Sequence, residues 1–368
     1  MKIVFMIPRL TYSGAPKMMA WVANQMAERG HDVHFVTFFS SEKTRDLHNR
    51  IRFHSLNVTQ SNNRFKRNTT GMIKTLFRLH RYVKSVKADV IVSFLDSVGY
   101  TYLPLARLFT KSKIIVSERV DPYAYKGMNA KLRFALMKFA HGTVFQTKGA
   151  QAFFKGKIYK NSTVIPNPVV IEENVKQMQK KRPTYAERDN RIVTVGRLSL
   201  NQKRQDLLIE AFSLLHKEYP YLQLIIYGDG QDKQKIQALI EKKGLQDSVI
   251  LAGRIKEVEK QIFNAKAFVL SSDFEGIPNA LIEAMSIGVP CVATDCSPGG
   301  AALLIENGKN GYLVPCNDTQ ALKEKLKELI EFPAISEQFS QNSIEITERF
   351  SEYKIANLWE EYFLNCKK

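Results

Sequence analysis

"AFVLSSDFEGIPNALIEAM", residues 267–285, joins a strand-like run to a helical pattern through a short turn. "AFVLSS" (267–272) has the length and composition of a buried strand. "DFEGI" then turns the chain, and Pro278 suits a first helical position, where its missing N–H removes nothing the helix uses. On that reading the amides of Asn279, Ala280 and Leu281 lack intrahelical partners and sit at the positive end of the helix dipole. Such a terminus favours anions, phosphate above all. Two glutamates flank it: Glu275 in the turn, and Glu283 inside the helix among Leu281, Ile282, Ala284 and Met285. Glu275 can reach the non-phosphate part of a ligand. Glu283 can accept two hydrogen bonds from a vicinal diol such as that of a ribose. Either glutamate alone reads as a solvated charge; it is the combination that points to a ligand.

The same strand–turn–helix grammar runs through the chain. "KIVFMI" (2–7), "DVHFVTF" (32–38), "DVIVSF" (89–94), "KIIVSE" (113–118), "TVFQT" (143–147) and "STVIPN" (162–167) read as strands in the first half. "RIVTVG" (191–196), "LQLIIYG" (222–228), "SVILAG" (248–253), "PCVATD" (290–295) and "GYLVP" (311–315) join "AFVLSS" in the second. Helical patterns lie between them, such as "PKMMAWVANQMAERG" (16–30), with Pro16 first and Gly30 at the stop. Apolar strands alternating with helices predict parallel sheets covered on both faces. At 368 residues, two domains are expected. The predicted fold class is α/β, with two Rossmann-like doubly wound domains in tandem.

The stretch 166–190, with three prolines and no clean period, reads as the seam. This gives a first domain over 1–168, a linker over 169–190 and a second domain over 191–350. The segment 351–368 reads as a final helix with Ile355, Leu358, Trp359 and Tyr362 in an apolar stripe, expected to dock back on the first domain. Ligands of such folds bind beyond the carboxyl ends of the strands, so the gap between the domains is the expected site.

Composition narrows the classes. With 44% hydrophobic and 24% charged residues, the chain is not of the largely disordered kind. No apolar run approaches the roughly 20 residues of a membrane span, and Pro8 and Arg9 interrupt the first apolar run too early for a signal peptide. The four cysteines lack C-x-x-C spacing and nearby histidines, which argues against a metal site and for reduced thiols in a cytoplasmic protein. The net charge of +18 is uneven: residues 1–180 carry 30 Lys and Arg against 10 Asp and Glu, residues 181–368 carry 24 against 26. A first half this basic is expected to meet an anionic surface or substrate, although a soluble charged surface fits as well.

Taken together the motifs resemble the retaining glycosyltransferases of GT-B fold, in particular glycosyltransferase family 4, over essentially the whole chain. "EGIPNALIE" matches the E-x7-E signature, and "VGRLSLNQKRQDLLIEAF" (195–212) looks like the family's G-R…K segment. "YGDG" (227–230), "GVPCVATDCSPGG" (288–300) and "ENGKNGYLVP" (306–315) follow in the family's order. The resemblance implies transfer from a nucleotide sugar, UDP-linked in the usual case, in bacterial surface polysaccharide synthesis. It assigns Glu275 to the hydroxyls of the transferred sugar and Glu283 to the nucleotide ribose. Arg197 and Lys203 would hold the diphosphate, helped by backbone near Gly276, Ile277, Pro278, Asn279 and Ala280, with Gly196, Gly228 and Gly14 giving close approach.

Elementary chemistry agrees for the cations. Arg197 follows a strand and Gly196, where a planar guanidinium can clamp two phosphate oxygens. Fixed positive charge there would stabilise the leaving diphosphate. No D-x-D occurs, so no metal and no cofactor besides the substrate is expected.

The chain departs from the family pattern in "SERVDPY" (117–123), with Arg119 near the place of a histidine, and at Leu303, where an acid is frequent. Glu118, Arg119 and Asp121 are therefore candidates for sugar or acceptor contacts, with a structural salt bridge equally open. In 64–87, Met72, Leu76, Leu79, Val83 and Val86 share one helical face, and Lys74, Arg78 and Arg81 line the other. Lys131, Arg133 and Lys138 add charge in 129–142. Each such charge near an anionic leaflet contributes about 1 kcal/mol. A polyprenyl-diphosphate-linked glycan acceptor and peripheral placement on the inner membrane face are the expectation, with a solvated basic face as the alternative. A nucleic-acid binder lacks support from any recognition motif. A GT-B-like nucleotide-sugar epimerase or hydrolase remains the chemical rival.

Overall fold

The computed structural model describes residues 1–11, 14–39, 47–58, 70–94, 97–170 and 173–366. Tyr12 and Ser13 of the first loop, and residues 64–69 of the basic stretch, lie outside the described residues. The chain forms two compact units, Met1–Asn167 with Tyr353–Lys368, and Pro168–Glu352.

The first unit is built on β1 (Lys2–Ile7), β2 (Asp32–Thr37), β3 (Arg52–Ser55), β4 (Val90–Phe94), β5 (Lys113–Ser117), β6 (Gly142–Phe145) and β7 (Ser162–Val164). They pair in parallel in the order β3-β2-β1-β4-β5-β6-β7. The second unit carries β8 (Asp189–Val195), β9 (Gln223–Tyr227), β10 (Val249–Gly253), β11 (Ala265–Leu270), β12 (Cys291–Thr294) and β13 (Tyr312–Val314). Their order is β10-β9-β8-β11-β12-β13, again parallel. In each sheet the chain works outward to one edge, then returns to start the other half beside its first strand. The returns lie between β1 and β4 and between β8 and β11. The expected pair of doubly wound parallel sheets is therefore present.

Central strands β1, β4 and β11 are buried or nearly so along their length, as sheets covered on both faces require. β3 was not anticipated: "RFHS" is short and polar, and it pairs only at an edge. The first helix starts at Gly14, two residues before the expected Pro16, and ends at Glu28. Pro16 falls in its first turn, where no backbone N–H is required.

The stretch expected to be a linker belongs to the second unit. It holds a helix, Glu173–Lys180, and a short 3-10 turn, Tyr185–Glu187. Arg188 anchors it: the buried guanidinium donates to the carbonyls of Phe263, Ala265 and Gly288 at 3.2, 3.0 and 2.8 Å. The unit's two ends also meet, through Val169 N–H donating to the Phe350 carbonyl at 2.8 Å.

The helix Glu352–Asn365 completes the first unit. Trp359 stacks on Phe94 with ring centroids 6.0 Å apart, and Phe363 meets Phe5 edge-on at 6.3 Å. The buried stripe is Ile355, Trp359 and Phe363, successive i, i+4 positions, whereas Leu358 of the expected stripe is exposed. Lys113 Nζ donates to the carbonyl of Leu364 at 2.8 Å, a cation on the last turn of a helix. Among the described residues no helix is long and apolar enough to cross a membrane.

Trp359→Ala should therefore destabilise the first unit by about 3–5 kcal/mol, the range for removing a large buried aromatic. Urea unfolding reads the shift, and an unchanged midpoint would mean that this helix adds no core.

Candidate active site

In the second unit the expected residues gather where the sheet reverses. Arg197 and Lys203 follow β8, and Glu275 follows its neighbour β11. Open parallel sheets bind ligands at such a switch point, beyond the carboxyl ends of the strands.

The two loops are tied before any side chain reaches outward. Asp273 N–H donates to the Gln202 carbonyl at 2.9 Å, and Ser271 Oγ to the Lys203 carbonyl at 2.8 Å. Gln202 Nε2 closes a third link to the Phe274 carbonyl at 3.3 Å. On this frame the Lys203 ammonium meets Glu275 Oε1 directly, both side chains being mostly buried. Ser272 Oγ donates to the same oxygen at 3.0 Å. Among the described residues Glu275 Oε2 accepts no hydrogen bond. Lys203 has two further donors beyond the one given to Glu275. The pair thus offers a carboxylate oxygen and ammonium protons side by side, one suited to a hydroxyl and the other to an oxyanion. Arg197 is exposed, and its guanidinium has no ion-pair partner among the described residues.

The helix beyond Glu275 runs Asn279–Ser286, with Pro278 as its N-cap. Pro278, expected as the first helical residue, therefore stands one position before the helix. Leu281 N–H is taken up by the Pro278 carbonyl at 3.1 Å. The expected cradle of three amides thereby loses Leu281, because the helix opens with a tight turn. Of the residues from Leu281 to Pro290, Glu283 alone stays half-exposed and all the others are buried.

The glycines have a steric cause. Gly228 sits at φ +138°, and a Cβ there would lie 1.8 Å from the Gly196 carbonyl oxygen. A Cβ on Gly300 would lie 1.6 Å from that of Gly276. The Lys203 side chain also crosses Gly196, whose added Cβ would meet Lys203 Cε at 3.3 Å. Gly228 and Gly300 thus serve first to pack loop on loop, against the main chain of Gly196 and Gly276. Ile277 and Pro278 are buried beneath them.

Gly14 and Arg119 belong to the first unit, after β1 and β5. Gly14 is the exposed first residue of its helix. Arg119 Nη2 donates to Asn167 Oδ1 at 2.5 Å, and its guanidinium lies 4.8 Å over the Phe94 ring. Desolvation pushes its pKa down to about 9, with the Glu118 charge opposing, so it remains cationic near neutrality. Glu118 is buried in a bidentate pair with Arg133 Nη2, at 2.8 and 2.7 Å, and Asp121 accepts from Tyr123 N–H at 3.0 Å. The structural salt bridge is thus present for Glu118, Asp121 instead caps the turn Pro122–Ala124, and Arg133 is no part of a solvent-facing basic stripe. Burial raises the Glu118 pKa; Arg133 pulls the other way. Leu303 gives its carbonyl to Arg349 at 3.0 Å.

Sequence reading missed Arg204. It joins two helices in the left-handed conformation, φ +49° and ψ +46°. From there its guanidinium bridges Asp206 at 3.1 Å, Asp273 at 3.0 Å and Asn317. Its position beside the expected Lys203 was the one available signal. Among the described residues no cluster of three or more His, Cys, Asp or Glu is placed to hold a metal ion.

Residues 12–173 match the family Glycosyltransferase Family 4, and residues 175–346 match Glycosyl transferases group 1. The chain belongs to the GT-B glycosyltransferases, its two sheets corresponding to these two halves. It is 25% identical, over 98% of its length and 97% of the relative's, to a Campylobacter jejuni protein. That protein is the GalNAc-alpha-(1->4)-GalNAc-alpha-(1->3)-diNAcBac-PP-undecaprenol alpha-1,4-N-acetyl-D-galactosaminyltransferase. An uncharacterized glycosyltransferase of Haemophilus influenzae is 26% identical over 97% of this chain and 98% of its own. Anabaena HepE, solved with UDP and glucose, shares the fold at TM-score 0.77 and 18% identity, covering 99% of this chain and all of its own (100%). So does S. aureus TarM, solved in a complex that includes UDP, at TM-score 0.74 and 16% identity, covering 98% of this chain and 99% of its own.

Arg204→Gly separates positioning from stability. Glycine removes roughly 1–2 kcal/mol of left-handed strain, so the melting temperature should hold. Loss of the bridge to Asp273 should lower kcat by up to about 10²-fold, the cost of a misplacement of about 1 Å. Unchanged kcat would show that the bridge positions nothing.

Proposed function

We propose that the chain is a retaining transferase that moves a hexose or N-acetylhexosamine from a UDP-sugar to a lipid-linked glycan. It would act as a cytoplasmic protein peripheral to the inner membrane face, in bacterial surface glycan synthesis. The observation that carries the reading is the Lys203–Glu275 pair at the β8–β11 switch point. In the reaction the bond from the anomeric carbon to the β-phosphate oxygen breaks, and a bond to the acceptor oxygen forms. Negative charge grows on the departing phosphate, and Lys203 and Arg197 supply fixed positive charge to meet it. Glu275 Oε2 orients the sugar through a hydroxyl, and Glu283 takes the ribose diol. The acceptor's proton leaves on the diphosphate oxygen, where new basicity appears.

Two similarities support the substrate classes. The Campylobacter jejuni relative is named for a PP-undecaprenol-linked glycan, and the Anabaena and S. aureus structures hold UDP. With protein cations available to the leaving group, we propose that no divalent metal is needed.

Lys203→Ala and Glu275→Gln should each lower turnover about 10²–10³-fold, the loss typical of a preorganised stabiliser, while circular dichroism shows the fold retained despite the lower melting temperature that breaking a mostly buried pair brings. Equal turnover in parent and variants would remove the site. Turnover should persist in excess EDTA; abolition there, restored by Mg²⁺, would reverse the metal reading. The anomeric coupling of the product, read by NMR, decides between retention and inversion.

A further inference from the structure

We infer that one face of the first unit is an interfacial docking surface for an anionic bilayer, entered by apolar side chains as well as attracted by charge. This specifies the membrane part of the reading above and rests on it. The helices Thr70–Val86, Ser97–Phe109 and Gly127–Met137 bury one side in a shared core through Leu79, Val83, Tyr102, Leu103 and Met137. Their outer sides are not simply polar. Ile73 and Phe77 are 66% and 68% exposed, and Leu108 and Phe109 70% and 61%.

These four residues form neighbouring groups. Ile73 and Phe77 stand one turn apart on the same helix face. Phe109 packs edge-on to His80, ring centroids 6.1 Å apart, and His80 lies one turn beyond Phe77. On the third helix Met128 and Leu132 repeat the i, i+4 spacing, 78% and 52% exposed. Large aliphatic and aromatic groups exposed in such number mark a contact surface rather than scattered solvent exposure.

Charge selects the occupant. The three helices contain no Asp or Glu, while Lys74, Arg81, Lys84 and Lys131 are exposed among the apolar groups. Apolar side chains with a basic surround and no carboxylate suit the headgroup layer of an anionic membrane. The same face of a second copy would be equally basic and repel it.

The test floats the full chain with phosphatidylcholine vesicles, with and without phosphatidylglycerol. The parent should bind the phosphatidylglycerol vesicles, less so as salt rises. Ile73→Ser with Phe77→Ser should weaken that binding by about tenfold or more at every salt concentration. Lys74→Glu with Arg81→Glu should remove the preference for the anionic lipid. Failure of the parent to bind, or parental binding by the serine pair, overturns the inference. So does a concentration-dependent dimer that the serine pair dissolves without any vesicle binding. UDP-induced thermal stabilisation reads the donor site separately and should survive in both variants. Its absence from the parent would sink the donor reading while leaving vesicle binding to stand or fall on its own.

Discussion

Hydrogen bonds between the loop after β8 and the loop after β11 are the constraint on which the second unit's chemistry depends. They join segments some seventy residues apart in sequence, at the one place in the sheet where neighbouring strands diverge in connectivity. Without them, a lysine and a glutamate would be two mobile charges, each better solvated by water than by the other. A mostly buried ion pair survives only when its surroundings hold it in good geometry. Here the main chain does that, and two glycines let the loops after β9 and β12 pack closely against it. Gly228 against Gly196, and Gly300 against Gly276, leave no room for even a methyl group.

Much of this was legible in the sequence. Continuous apolar runs between amphipathic stretches revealed every strand but β3, whose polar residues and edge position give no such signal. The E-x7-E spacing and the strand-end cations pointed to the β8–β11 switch point, where the fold brings Lys203 and Glu275 together. What stayed hidden depends on distance across the fold. Periodicity cannot say that Lys203 touches Glu275, nor that Glu118 is consumed by Arg133. A polar stretch such as 173–190 looks like a linker until Arg188 finds three carbonyls inside the second unit. Arg204 is invisible for a similar reason, since its value lies in a backbone conformation that arginine seldom adopts.

The two units put charge to different uses. In the second, carboxylates and cations are nearly balanced, and the pairs that matter are local and partly buried. In the first, Arg133 and Arg119 are spent inside the fold, against Glu118 and Asn167. The excess is carried by lysines and arginines on the surface, so it acts through a summed field rather than through fixed partners. Sequence counting saw that excess but not the company it keeps. Ile73 and Phe77 fall outside the buried stripe of their helix, and only the fold shows them standing among the basic residues.

The first unit is discontinuous: the whole second unit lies between its last strand and its closing helix. Phe5 and Phe363 meet across nearly the full chain, a contact whose loop-closure entropy is large if the intervening residues are unfolded. The Val169–Phe350 hydrogen bond shortens that loop, because a folded second unit already holds its own two ends together. During synthesis, residues 168–352 can therefore mature while the earlier sheet still lacks Trp359 and Phe363. The half made first becomes the half finished last.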